Sequence, residues 1–310
     1  MRKKVSIIGA GNVGSSSALL MALEGIADII LFDIAEGVPQ GKALDIAEAC
    51  PLYGSSVSVV GSNRYHDTAG SDIAVITAGL ARKPGMSRDD LVTANAGIVR
   101  QAVSALVELS PDAVLIVVTN PMDAMAHLSW QVSGFDHRRV VGMGGVLDSA
   151  RLRTFISLEL GVSPADIEAL VMGGHGDQMV PMPRFTTAKG IPITKLLSEG
   201  RIAALVERTR NGGAEVVSLL KTGSAYYAPA ASICQMVRAI LRDEKRMLPC
   251  SAYLDGEYGA RGVYIGVPVV LGSSGVEKIV ELDLDEKERE DFEKSVSAAK
   301  ALITLTALPA

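Results

Sequence analysis

The sequence predicts an α/β fold, with a doubly wound parallel sheet in the first half of the chain and a second α+β lobe after it. Short Val/Ile/Leu runs at residues 5–8, 28–33, 56–60, 72–77, 113–119 and 140–143 alternate with helical-length segments. Continuous apolar runs of this kind suit strands covered on both faces, and their alternation with helices suits parallel pairing. A glycine cluster directly follows the first run, where a strand turns into a helix. Past residue 148 the pattern changes to long helices and longer strand stretches.

The first run opens onto Gly9 and leads to a helical stretch at 15–24, and the second run ends on Asp33. The remaining four runs complete a sheet of about six strands. A boundary near Gly144-Gly145 divides the chain into an N-terminal domain, 1–145, and a C-terminal domain, 146–310. In the latter, helices are expected at 149–160, 201–220, 228–242 and 286–305, with hairpin-like apolar runs at 167–172, 179–193 and 262–271. Pro229 sits where a first helical turn tolerates it. The charged segment 283–294 reads as the solvated face of a C-terminal helix.

With 310 residues, 48% hydrophobic content and 21% charge, the composition is that of an ordinary soluble globular protein. A formal net charge of -5 and the lack of a Lys/Arg-rich run weigh against nucleic acid or an anionic membrane surface as partner. The apolar run after Met1-Arg2-Lys3-Lys4 is too short for a signal peptide, and none approaches the roughly 20 residues of a membrane helix, so a cytoplasmic location is expected. Cys50, Cys234 and Cys250 are odd in number and form no CxxC pair. Neither a disulfide framework nor a metal site is suggested, and they read as reduced, mostly buried thiols.

Gly9, Gly11 and Gly14 form GxGxxG after the first strand, with Asn12 and Val13 between. Glycines there let backbone approach a pyrophosphate at a helix N-terminus, the signature of a Rossmann-type dinucleotide site. Asp33 follows 19 residues beyond Gly14, where a carboxylate can accept both hydroxyls of an adenosine ribose. A 2′-phosphate would meet that carboxylate with no adjacent arginine to compensate, so NAD is expected over NADP.

Four further segments carry chemistry. Arg82 to Arg88 places two arginines around a Pro-Gly turn, and Thr119-Asn120-Pro121-Met122-Asp123 ends the fifth strand, at the edge where open α/β sheets bind ligands. Leu147-Asp148-Ser149-Ala150-Arg151 sets an acid and an arginine three apart at a helix start, facing the same way. Gly173-Gly174-His175-Gly176-Asp177 sets one of only four histidines between glycines. Alone, these segments read as a solvated basic loop, a turn, a surface ion pair and a core histidine.

Taken together and in this order, the motifs resemble the L-2-hydroxyacid dehydrogenases, the lactate/malate dehydrogenase family, over nearly the whole chain. The resemblance implies an enzyme that transfers hydride between a 2-hydroxy acid and NAD. His175 would exchange the hydroxyl proton, and Asp148 would hydrogen-bond its other ring nitrogen. Arg151 would grip the substrate C1 carboxylate, and Arg88 would polarise the carbonyl during reduction. Asn120 could donate to the same oxygen. The segment 80–90 would close over substrate, and Asn95 with Val118, Thr119 and Asn120 would line the ribose and nicotinamide side.

Within the family the chain is similar to members that use a dicarboxylate, (S)-malate and oxaloacetate, and that are lactate-dehydrogenase-like in sequence. Lactate-using members carry glutamine at the position of Arg82, which would pair with the second carboxylate, and threonine at the position of Ala225. The alternatives are a lactate dehydrogenase, separated by Arg82 and Ala225, and more remotely an NAD-dependent glycosidase, whose Cys and His metal ligands find no matching cluster here. A nucleotide-binding module without chemistry would not need the Asp148, Arg151 and His175 set. The resemblance also suggests a homodimer or homotetramer.

Overall fold

The computed structural model describes residues 2–80 and 88–306, with residues 88 and 89 described in their backbone only. The apolar runs of the first half form β1 (Lys4–Ile8), β2 (Asp28–Phe32), β3 (Val59–Ser62), β4 (Ile73–Ile76), β5 (Val114–Val117) and β6 (Val140–Gly142). Their order is β3-β2-β1-β4-β5-β6, every neighbour parallel, so the winding reverses between β1 and β4. Such a reversal opens a crevice at the carboxyl ends of the strands, where ligands bind. The helices α1 (Asn12–Leu23), α2 (Val38–Ala49), α3 (Arg88–Leu109) and α4 (Met122–Ser133) provide the crossovers. Ile73, Ala74, Val75 and Ile76 are all fully buried, as a strand covered on both faces requires.

The second half begins with α5 (Gly145–Leu160) and continues through β7 (Ile167–Glu168), β8 (Val171–Gly173), β9 (Met179–Pro181), β10 (Thr187–Ala188) and β11 (Ile191–Pro192). It then runs through α6 (Glu199–Leu220), α7 (Tyr227–Leu241), β12 (Arg246–Asp255), β13 (Arg261–Gly272), β14 (Gly275–Ile279) and α8 (Glu286–Thr304). Among the described residues β12 joins β6 through the pair Ser251 and Gly142, and β13 joins β8 through Gly266 and Gly173. The antiparallel strands thus extend the parallel sheet, and glycines stand at both joints. A Cβ on Gly266 would lie 2.5 Å from the Gly173 carbonyl oxygen, so only glycine allows that approach.

Several expectations need correction. The helix after the glycine cluster starts at Asn12 rather than residue 15, and α5 starts at Gly145 rather than 149, because glycine tolerates the tight strand-to-helix turn and the first helical turn follows at once. The third strand lies at Val59–Ser62 instead of 56–60. The run 179–193 is broken into three short strands and two 3₁₀ turns, since Pro181, Pro183 and Pro192 remove the N–H groups a ladder needs. The ten-residue strand β12 was not expected at all. Cys50, Cys234 and Cys250 are free and buried, and burial with the nearby Glu24 pushes the Cys234 thiol up to about 12. Among the described residues no helix is long and apolar enough to cross a membrane.

Candidate active site

At the carboxyl end of β1 the chain turns through Gly9, at φ +113°, and enters α1 with Gly11 as its N-cap. An added Cβ on Gly14 would stand 1.9 Å from the Gly9 carbonyl oxygen, whereas one on Gly11 would meet nothing within 4 Å. One glycine therefore seats the helix against the turn, and the other leaves open space beside the first-turn N–H groups of Asn12 and Val13. No side chain caps that helix end. Asp33, just past β2, accepts from the Ala10 N–H at 2.7 Å through Oδ2 and from the Ala35 N–H at 3.0 Å through Oδ1. It is both the strand-end turn residue and the carboxylate facing the glycine turn. Lys42 of α2, which the motifs do not flag, donates to the Ala10 carbonyl at 2.7 Å and sets a cation beside the same turn.

The ends of β4 and β5 are tied together by polar side chains. The Thr119 hydroxyl donates to the Ala78 carbonyl at 2.7 Å, and Asn95 of α3 accepts from the Leu80 N–H at 2.7 Å while donating to the Asn120 carbonyl at 2.7 Å. Asn95 is 1% exposed and Thr119 5%. Both side chains hold the loops together at this edge of the sheet. Val118 is half-buried at the end of β5, and Asn120 is exposed just before α4.

His175 lies in the turn between β8 and β9, with Gly173 and Gly176 on either side at φ +78° and +100°. Its Nδ1 meets Asp148 Oδ2 at 2.8 Å, and Asp148 Oδ1 accepts from Arg151 Nη1 at 3.1 Å. The side chains of Asp148, His175 and Arg151 are 2%, 14% and 16% exposed, so the i,i+3 pair on α5 is no surface ion pair. Burial works against a charged imidazole, but the charge and hydrogen bond of Asp148 outweigh it and the repulsion of Arg151, holding His175 above its ordinary 6.5. Asp177, of the same motif, is exposed and contributes nothing to this cluster.

Two pins hold the His175 turn from behind. Ser295 of α8 accepts from the Gly174 N–H at 2.7 Å and donates to the Gln178 carbonyl at 2.6 Å. Asp123 of α4 accepts from the His175 main-chain N–H at 2.9 Å. Ser295 was not singled out from sequence and Asp123 only as the close of the Asn-Pro motif; a carboxylate in the first turn of a helix at the strand edge was the available signal. Ala225 lies between α6 and α7. Arg82 lies outside the described residues, as does the side chain of Arg88, whose backbone opens α3.

The glycine turn, the strand-end acid and the buried Asp–His–Arg cluster stand at one edge of one sheet, and comparison with known proteins matches them as a set. Residues 3–142 match the model of the lactate/malate dehydrogenase NAD-binding domain and residues 145–307 that of the family's α/β C-terminal domain. The chain belongs to the lactate/malate dehydrogenase family. Its similar relatives in the family include malate dehydrogenases of Desulforudis audaxviator, 57% identical and covering 97% of this chain and 98% of that one, and of a Roseiflexus species, 57% identical and covering 98% of each. Among solved family structures, the malate dehydrogenase from Picrophilus torridus in its apo form superposes with a TM-score of 0.96 at 46% identity, covering 99% of this chain and 98% of that one. A lactate dehydrogenase from Cryptosporidium parvum, complexed with lactic acid and β-nicotinamide adenine dinucleotide, superposes at 0.95 with 41% identity, covering 100% and 99%.

Proposed function

We propose that the protein catalyses the reversible oxidation of (S)-malate to oxaloacetate with NAD. The observation that carries this reading is the chain of contacts from His175 Nδ1 to Asp148 and on to Arg151. It fixes a proton acceptor and a carboxylate-binding cation relative to each other at side-chain exposures of 14% and 16%. Malate dehydrogenase relatives reach 57% identity over nearly the full chain, which favours the dicarboxylate.

The residues present fit NAD. Gly11 leaves room for a pyrophosphate at the start of α1, and Asp33 retains lone pairs for ribose hydroxyls while repelling a 2′-phosphate, which favours NAD over NADP. Gly9, Gly14, Asn12 and Val13 shape that end, and Val118 with the Asn120 main chain flanks the nicotinamide end. When bound, NAD supplies the acceptor for the hydride leaving the substrate carbon.

The chain's own residues handle charge and protons. Asp148 accepts from Nδ1–H of His175, which leaves Nε2 as the lone-pair nitrogen that takes the hydroxyl proton of malate. The imidazolium so formed is stabilised by the same carboxylate. Arg151, held by Asp148, grips the C1 carboxylate in a two-pronged contact. Arg88 stabilises the negative charge developing on the carbonyl oxygen in the reverse direction, Asn120 orients that oxygen, and Arg82 pairs with the second carboxylate. Residues 1–145 form the cofactor domain and 146–310 the substrate domain, in a cytoplasmic homodimer or homotetramer.

The deciding experiment is kcat/KM for oxaloacetate and for pyruvate with NADH under identical conditions. A preference for oxaloacetate of about a thousandfold or more is expected, since burying an unpaired guanidinium carries a penalty of several kcal/mol. A preference for pyruvate would overturn the substrate assignment and keep the fold and His175.

A further inference from the structure

Lys42 is a half-buried cation whose partners among the described residues are neutral. It extends from α2 to the back of the glycine turn, where its Nζ donates to the Ala10 carbonyl at 2.7 Å and stands 3.5 Å from the Ser15 hydroxyl. A methionine would fill the same space without desolvating an ammonium, and one neutral carbonyl offsets only part of that cost. The start of α2 is closely seated on the sheet, since a side chain on Gly61 of β3 would run into the Pro39 carbonyl. The reach of Lys42 to Ala10 is therefore built into the packing, and its charge has no counter-ion among the described residues.

The Ala10–Gly11 peptide shows what the charge can act on. In a planar trans peptide the C=O and N–H point in opposite directions, so a grip on the Ala10 carbonyl from one side aims the Gly11 N–H to the other. Among the described residues no acceptor meets that N–H, and a Cβ on Gly11 would meet nothing within 4 Å. The preceding peptide is held separately, its Ala10 N–H donating to Asp33 Oδ2 at 2.7 Å. Ala10 is thus clamped between an acid on its N–H and a cation on its carbonyl.

We propose that Lys42 is a positioning residue for the cofactor: it turns the Gly11 N–H toward the diphosphate and places a positive charge behind the turn that receives it. The inference rests on the NAD reading above, with residues 3–142 matching an NAD-binding domain. An anion at the start of α1 meets the N–H groups of Gly11, Asn12 and Val13. The ammonium, drawing on the Ala10 carbonyl from behind, adds to the same positive field.

The test is binding to the full chain, read by NADH fluorescence, of NADH itself and of two competitors, ADP and adenosine, which differ only by the diphosphate. Lys42→Met is expected to weaken NADH and ADP by about tenfold and adenosine by less than about twofold. Lys42→Arg, which keeps the charge, stays within about threefold of the unmodified chain for all three. Raising the salt from about 0.05 to about 0.5 M narrows the NADH gap between Lys42→Met and the unmodified chain to under about fivefold, because mobile ions screen the ammonium.

Equal losses for ADP and adenosine in Lys42→Met overturn the proposal, since a turn that is merely distorted loses both alike. Unchanged affinity for NADH and ADP also overturns it, as does a gap that salt leaves untouched; if Lys42→Met does not fold, the same comparison in Lys42→Gln decides. An unmodified chain that binds no NADH rejects the cofactor reading and this inference with it. A chain that binds NADH but is indifferent to the charge at residue 42 rejects this inference alone.

Discussion

Asp148 gives one oxygen to each of two neighbours: Oδ2 lies 2.8 Å from His175 Nδ1 and Oδ1 lies 3.1 Å from Arg151 Nη1. With its side chain 2% exposed, both oxygens are shielded from bulk solvent. The two groups proposed as proton acceptor and carboxylate grip are therefore set by one side chain.

Asp148→Asn follows from that geometry. Both neighbours donate, and an amide offers only one acceptor oxygen, so its NH₂ must face either the imidazole or the guanidinium. Facing His175 it selects the wrong tautomer; facing Arg151 it turns the grip away. A fall in kcat of about 10³–10⁴ is expected with a simultaneous rise in KM for oxaloacetate. Steady-state kinetics check this, and a loss below tenfold would mean that Asp148 orients neither group.

The pH dependence has a definite sign. His175 is held above 6.5 despite its burial, chiefly by the charge and hydrogen bond of Asp148. Oxidation needs the neutral ring, so kcat/KM for malate falls as pH drops through that raised value; reduction needs the imidazolium, so kcat/KM for oxaloacetate falls as pH rises through it. For stability, a folded value above the unfolded one means a contribution fully present below about 6.5 and lost as pH rises through the folded value. The check is a pair of pH profiles, one for each direction. An acid limb for malate centred at or below 6.5 contradicts the arrangement.

The sheet core and cofactor turn were legible in the sequence because they obey local rules. Period, strand length and glycine spacing locate β1 to β6 and the turn into α1 to within about three residues without reference to the rest of the chain. β12 was not legible, since Pro249 and Ser251 break an apolar run that is a strand only because β13 pairs along its whole length, with Pro249 opposite Pro268. The same holds in the site. His175, Asp148 and Arg151 are flagged by motifs, whereas Asp123 and Ser251 meet across 128 residues and Gly174 and Ser295 across 121, contacts no local pattern encodes. Asn95 and Thr119 show the same limit: the motifs place them at this edge, but their bonds to Leu80, Asn120 and Ala78 join loops far apart in the chain.

The glycine pair Gly212-Gly213 in the middle of α6 makes room for Arg151. A Cβ on Gly212 would lie 3.1 Å from Arg151 Cδ, and one on Gly213 would lie 3.6 Å from Nη2. Two central glycines weaken a helix by about 1 kcal/mol each relative to alanine, so their presence calls for a packing reason. Gly212→Ala is expected to raise KM for oxaloacetate about three- to tenfold by displacing the guanidinium a few tenths of an ångström, whereas Gly213→Ala, an ordinary contact, changes KM less than about twofold. Kinetics of the two variants side by side decide this, with equal effects counting against it.

Arg82 is the residue on which substrate choice is expected to turn, and the argument for it is electrostatic. Oxaloacetate carries a second carboxylate where pyruvate carries a methyl group, and a guanidinium closed over the methyl group is left without a counter-ion in a site already holding Arg151. Arg82→Gln removes that penalty and the matching attraction together, so kcat/KM for oxaloacetate should fall and that for pyruvate should rise, narrowing a preference worth about 4 kcal/mol, or roughly a thousandfold, by at least tenfold. The two rates measured in one variant share a cofactor, a proton acceptor and an Arg151, so their ratio isolates the second carboxylate. A ratio unchanged from that of the unmodified enzyme would show that Arg82 does not face the substrate.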